Sequence, residues 1–134
     1  MAEASYTVTL RIWHPTHSGQ AITKAIGLQP YVSQTVGEPR VNPVGEKLGG
    51  EYKKTGCAFR LREKTLGYFV DGIRDLVPTL EKVRPYLKTI RQSGGRSELY
   101  VGVFVESTNG FTLETCELAA LADLSLDLSV EYYL

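Results

Sequence analysis

His14-x-x-His17 places two imidazoles three positions apart, where the alternating run Tyr6 to Trp13 meets Pro15. Two neutral imidazoles at such a bend can chelate a divalent cation if further ligands arrive from elsewhere, and Cys57 or Cys116 would complete a tetrahedral set. No third ligand stands at a recognised spacing, and the two cysteines form no C-x-x-C pair. The pair therefore reads as a solvent-facing turn around Pro15, and no metal site is assigned.

Gly37-Glu38-Pro39-Arg40 and Gly45-Glu46-Lys47-Leu48-Gly49-Gly50 raise the question of a phosphate-cradling loop. Neither has the spacing G-x-x-x-x-G-K-[ST] that sets a lysine and a hydroxyl on phosphates, so residues 37–50 read as a long exposed loop. Arg40 is suited to bidentate pairing with a carboxylate or phosphate, with Glu38 to orient it. A ligand pocket, if the chain has one, is expected where His14, His17, Glu38, Arg40 and Tyr52 converge beneath this loop.

Ser18, Thr23 and Thr112 are explained by helix capping and packing, and no G-x-S-x-G elbow is present. No catalytic residue and no cofactor is assigned. Side chains suited to recognition are more numerous: Arg11, Trp13, Tyr100, Phe104 and Tyr133 fall on the outward positions of their strands, with Arg60 and Arg62 nearby if the strands are adjacent. Aromatic rings and arginine anchor protein interfaces.

The elements that must position these residues follow from periodicity. Tyr6, Val8, Leu10 and Ile12 alternate with Thr7, Thr9, Arg11 and Trp13, which predicts a strand. Ser18 caps a short helix with the stripe Ala21, Ile22, Ala25 and Ile26, closed by Gly27. Residues 31–36 read as a short strand and 52–62 as a longer one, with Cys57, Phe59 and Leu61 facing inward. Helical spacing from Phe69 to Ile90, broken by Pro78 and Pro85, predicts a kinked helix or two helices in succession. Leu99 to Val105 is apolar on both faces and suits a central strand. Thr112 is the expected cap of the next helix, with Phe111 stapled onto Cys116, and Leu126 to Tyr133 closes with a strand.

The resulting order, β-α-β-β-α-β-α-β, gives an α+β fold: a two-layer sandwich of about five strands with helices packed on one face. The 134 residues, 43% of them hydrophobic, suffice for one core, so residues 1–134 form a single domain. Fifteen bases balance fifteen acids, which disfavours nucleic acid as a partner. The charge is nonetheless polarised, because residues 98–134 hold seven acids and no Lys or Arg, whereas 37–64 hold seven bases and four acids. No leader or membrane-spanning pattern is evident, and two unpaired cysteines, read as small buried hydrophobes, suit the reducing cytoplasm.

Ala21-Ile22-Thr23-Lys24-Ala25-Ile26-Gly27-Leu28-Gln29-Pro30, followed by Val36-Gly37-Glu38, resembles the "IT..LGL.P" and "GE" signatures of a largely bacterial family known as domain of unknown function 4279. The broken middle helix and the closing "LAALADLSLDLSVEYY" are similar to that family's C-terminal half. Tyr52 stands where the family typically has tryptophan. The resemblance implies an architecture and carries no activity. The expected function is a non-enzymatic protein-interaction module, either an immunity- or antitoxin-type partner or a homo-oligomer. The alternative is a small-ligand-binding domain or an enzyme using the pocket under the loop.

Overall fold

In the computed structural model, which describes residues 4–134, the chain runs β1 Ser5–His14, α1 Gly19–Ile26, β2 Val32–Gln34, β3 Pro39–Val41, β4 Lys47–Glu51, β5 Thr55–Leu66, α2 Phe69–Glu81, α3 Arg84–Gln92, β6 Arg96–Phe104, α4 Thr115–Asp123 and β7 Leu126–Tyr133. Five strands form one sheet in the order β2-β5-β1-β6-β7, and β3 and β4 form a separate two-stranded ribbon. The period of two in β1 turns Tyr6, Val8, Leu10 and Ile12 toward the helices, where all four are buried. They share one core with Ile22 of α1, Ile73 and Leu80 of α2, Leu87 and Ile90 of α3 and Leu121 of α4. Among the described residues the other face of the sheet carries no helix, and this is the α+β two-layer sandwich expected.

Connectivity explains the one-sided cover. β5 and β6 both run antiparallel to β1, so they are parallel to one another and need a crossover, which α2 and α3 supply. β6 and β7 are parallel neighbours, and α4 makes their crossover.

The middle helical stretch resolves into two helices. Pro78 is carried inside α2, and the break comes at Lys82–Val83. Pro85 sits in the first turn of α3, where a missing N–H costs nothing. Ser18 caps α1 as expected, its Oγ accepting from Ala21 N at 3.1 Å, and Gly27 closes the helix at φ 79°.

Five local expectations are corrected. α4 is capped not by Thr112 but by Glu114, whose N–H donates to Glu117 Oε1 at 3.2 Å. Thr112 is held instead by Tyr68 Oη, which accepts from its N–H at 2.8 Å, and Phe111 packs edge-on against Phe69 at 4.9 Å and not on Cys116. Cys116 is exposed, while Cys57 is buried. Residues 37–50 are exposed but not a bare loop, because β3 and β4 pair within them and Tyr52 Oη clasps Val41 N at 3.3 Å. β5 shifts register against β1 on either side of Val8, so its alternation breaks and Arg60 and Arg62 do not share a face. Among the described residues no helix is long and apolar enough to cross a membrane.

Candidate functional site

The uncovered sheet face is laid out by strand register. Trp13 lies opposite Arg96, Arg11 opposite Glu98 and Thr9 opposite Tyr100. On the far side, Glu98 neighbours Asp127, Tyr100 neighbours Ser129, and Phe104 neighbours Tyr133. Arg11, Trp13, Tyr100, Phe104 and Tyr133 therefore share one continuous surface.

At its centre is a buried carboxylate. Glu98 is only 5% exposed, and it accepts from Ser129 Oγ at 2.7 Å while pairing with Arg11 Nη1 at 3.4 Å and Arg96 Nη2 at 3.7 Å. A charge withdrawn from water must be paired and hydrogen-bonded, and two guanidiniums with a hydroxyl do this. The same guanidiniums then stack on the aromatic rings, Arg11 over Tyr100 at 3.8 Å and Arg96 over Trp13 at 4.4 Å. Cation–π attraction thus connects one carboxylate to two rings on either side of it.

Further cations flank further rings. Lys64 Nζ lies 4.1 Å above Phe104, the Arg60 guanidinium 5.2 Å from Tyr31, and Lys54 Nζ 5.8 Å from Trp13. Lys54 and Lys64 make no ion pair with any described residue, and Arg60 has only a 3.9 Å contact with exposed Glu63. Trp13 divides two open clefts. One, of about 260 Å³, lies between Trp13, Pro15, Gly95 and Arg96, and the other, of about 280 Å³, between Trp13, Tyr31, Gln34 and Ala58. Gly95 lets the start of β6 approach β1 closely beside this cleft, since a Cβ there would lie 2.5 Å from the Trp13 carbonyl oxygen and 2.8 Å from the His14 ring.

Burial and hydrogen bonding set the charge states of the groups on this face and of the two cysteines. Tyr100 donates to Glu131 Oε2 at 2.9 Å and is in close hydrogen-bond contact with Tyr133 Oη. Burial, followed by these two partners, drives its phenol far above the usual range, so it stays neutral. Bonds from Tyr133 and Tyr100 hold Glu131 below the ordinary carboxylate value, so it stays charged. Burial raises the Cys57 thiol, and the bonded Glu117 carboxylate raises Cys116. Neither sulfur is a poised thiolate.

His14 is not part of a solvent-facing turn. It is 2% exposed, with Nδ1 accepting from the backbone N–H groups of Thr16 at 3.0 Å and His17 at 2.9 Å. Those bonds fix the proton on Nε2, which must donate to Ser93 Oγ at 2.8 Å. A histidine donating to a serine cannot act as that serine's base, and the Ser93 hydroxyl itself donates to Thr89 O at 2.7 Å. The pair is a structural latch, with His17 stacked on His14 at 3.7 Å. Glu38, Arg40 and Tyr52 belong to the separate ribbon, where Tyr52 N donates to Glu38 O at 3.0 Å and Arg40 is exposed. The structure thus divides the five pocket residues between the latch and the ribbon, and neither cleft beside Trp13 is lined by Glu38, Arg40 or Tyr52. Among the described residues no group of three or more His, Cys, Asp or Glu side chains is placed to hold a metal ion.

Sequence reasoning missed Glu98, Arg96, Ser129, Lys54 and Tyr31. Arg96, Glu98 and Tyr100 alternate with Ser97 and Leu99, a signal that would have put the carboxylate on the aromatic face. No curated protein and no solved structure matches the chain. The family model described as Domain of unknown function (DUF4279) matches residues 4–134, essentially the whole length, so the chain belongs to that family.

Proposed function

We propose that this domain is a non-catalytic protein-interaction module of the cytoplasm. It binds a partner that presents acidic and apolar side chains to the uncovered sheet face around Trp13. The observation that carries this reading is the face itself: four aromatic rings, Trp13, Tyr31, Tyr100 and Phe104, each beside a cation and with no helix of the described residues laid over them. Arg11 and Arg96 are committed to Glu98, whereas Lys54, Lys64 and Arg60 remain for a partner's carboxylates.

The ribbon of β3 and β4 adds a second contact. Val44 is 78% and Leu48 53% exposed, and an isolated two-stranded hairpin is marginal in water unless something packs on it. Each cleft beside Trp13 is smaller than the roughly 300–1,000 Å³ typical of small-molecule sites, and both are open, which favours a macromolecular partner.

The test begins with native mass spectrometry of the chain purified gently from its host, followed by calorimetric titration of the protein found. Trp13→Ala should weaken binding by about 5- to 150-fold, the loss of about 1–3 kcal/mol expected of a central aromatic anchor, with melting temperature nearly unchanged. Unchanged affinity, or a stoichiometric small molecule in place of a protein, overturns the reading.

A further inference from the structure

The two edges of the sheet differ in how they meet solvent. β2 covers only Gly56–Ala58 of β5, but the remaining edge of β5 is interrupted by two register shifts and carries Arg60, Arg62 and Lys64. Bulges and basic side chains are the devices that keep foreign strands away from an edge. β7, at the other end of the sheet, has none of them. Its ladder with β6 runs unbroken from Ser97↔Leu126 to Phe104↔Tyr133, and residues 126–134 contain no Lys, Arg or Pro.

The orientation of its free groups follows from one bond. Tyr133 O accepts from Val105 N at 3.0 Å, so the odd-numbered residues of β7 bond inward to β6. The N–H and C=O groups of Leu128, Val130 and Tyr132 therefore face outward, and no described residue pairs with them. The side chains of these residues lie on the helix side at the rim, Leu128 and Val130 half-buried and Tyr132 38% exposed. An apolar strip runs along the same edge as the unused backbone bonds.

We propose that β7 pairs antiparallel with β7 of a second copy of this chain about a two-fold axis at Val130, which makes a continuous ten-stranded sheet. Overlap and charge select the register: an axis at Val130 pairs the whole of residues 126–134, whereas axes at Leu128 or Tyr132 shorten the ladder, and charge excludes the two neighbouring axes. With the axis at Ser129, Asp127 would face Glu131 of the other copy twice over, and with the axis at Glu131 two carboxylates would meet directly. Opposed like charges destabilise a strand pair. With the axis at Val130, Ser129 faces Glu131, Asp127 faces Tyr133, and Leu128 packs against Tyr132 on the helix side. Val130 pairs with itself, and the outward groups of residues 128, 130 and 132 exchange about six backbone hydrogen bonds. The two-fold axis leaves both uncovered faces on the same side, so the dimer doubles the surface around Trp13. This pairing stands on the edge alone and does not depend on what binds that surface.

Amide hydrogen exchange by NMR, run on the full chain from micromolar to millimolar concentration beside sedimentation equilibrium, tests it directly. The amides of Leu128, Val130 and Tyr132 should gain protection as dimer forms, while those of Ser129 and Glu131, already bonded to β6, should not change. A chain that sediments as a monomer throughout, or protection without this alternation, overturns the proposal. Val130→Pro removes an outward N–H at an edge position where proline is tolerated, and it should give a folded monomer that still binds any partner lost by Trp13→Ala. Should that variant fail to fold, Val130→Cys in a Cys116→Ser background decides the register. Oxidised glutathione should link it across the axis, whereas Leu128→Cys, which faces Tyr132, should stay unlinked, and the reverse outcome refutes the pairing.

Discussion

Glu98→Gln should cost the domain about 4–7 °C of melting temperature, a figure that follows from the geometry of the open face. The substitution keeps shape and leaves one acceptor oxygen for the Ser129 hydroxyl at 2.7 Å. It then turns an amide NH2 toward Arg11, 3.4 Å away, so two donors face one another. Removing one partner of a fully buried ion pair costs about 3–5 kcal/mol. Here the side chains of Arg11 and Arg96 are 35% and 53% exposed, so water recovers much of that, and about 1–2 kcal/mol is left. At about 2.1 cal/mol/K per residue of unfolding entropy, 134 residues give about 0.3 kcal/mol per degree, hence the stated shift. Calorimetry at low and high salt is the assay, and the loss should persist in high salt because the carboxylate is shielded from ions. Trp13 is the only tryptophan, so its emission reports independently whether Arg96 still lies over the ring. A melting temperature within a degree of the parent, with unchanged emission, would show that the carboxylate does not organise the face.

Gly72→Ala should destabilise the chain, although glycine to alanine inside a helix ordinarily gains about 0.5–1 kcal/mol. The new Cβ would lie 2.7 Å from two ring carbons of Tyr6, which is 4% exposed and has little room to move. Urea titration should therefore show a net loss, since overpacking costs about 1–3 kcal/mol, and a gain would mean that the ring gives way freely. For His14 the sign follows from its lowered pKa, caused first by burial and then by the charge of His17. The unfolded chain binds this proton more readily than the folded one, so stability is complete above the unfolded value near 6.5 and declines as pH falls below it toward the folded value. His14→Asn, which retains an acceptor for the two N–H groups, should flatten that decline in denaturant midpoints, and an equally steep profile would place its origin elsewhere.

What the sequence made legible was local. Alternation in β1 was enough to assign its two faces, Ser18 and Gly27 bounded α1, and Pro78 and Pro85 marked a broken helical stretch while leaving open whether it was one kinked helix or two. The surface bearing Arg11, Trp13, Tyr100, Phe104 and Tyr133 was readable because period-two patterns align once neighbouring strands pair. Features decided by distant partners were not readable. His14 is buried because Ser93, 79 residues away, accepts from it. The Arg60 and Arg62 faces separate because β5 slips against β1. Thr112 is held by Tyr68, 44 residues distant, and leaves the cap of α4 to Glu114. Glu98 was passed over because a strand carboxylate reads as solvated until two arginines are brought across it.

The uncovered face reconciles two demands that ordinarily conflict, since exposed rings bind partners but also aggregate. Its floor is made of small residues, with Thr7, Thr9, Ala58 and Gly102 all buried. Long side chains lie flat across that floor, and arginine and lysine stems cover apolar surface while their charged ends meet water. Each cation over a ring hides one aromatic face at a benefit of only about 0.5–1 kcal/mol at an exposed site, so a partner can displace it at modest cost. The two kinds of cation then divide the labour. Arg11 and Arg96 are pinned by Glu98 and hold Tyr100 and Trp13 in fixed positions, which preorganises the rings. Among the described residues Lys54 and Lys64 make no ion pair and lie only beside the rings, so under the proposed function a partner's carboxylates would draw them aside and expose the aromatic surface they cover. Under the proposed function, rigid anchors beneath movable cations suit a partner carrying both acidic and apolar groups.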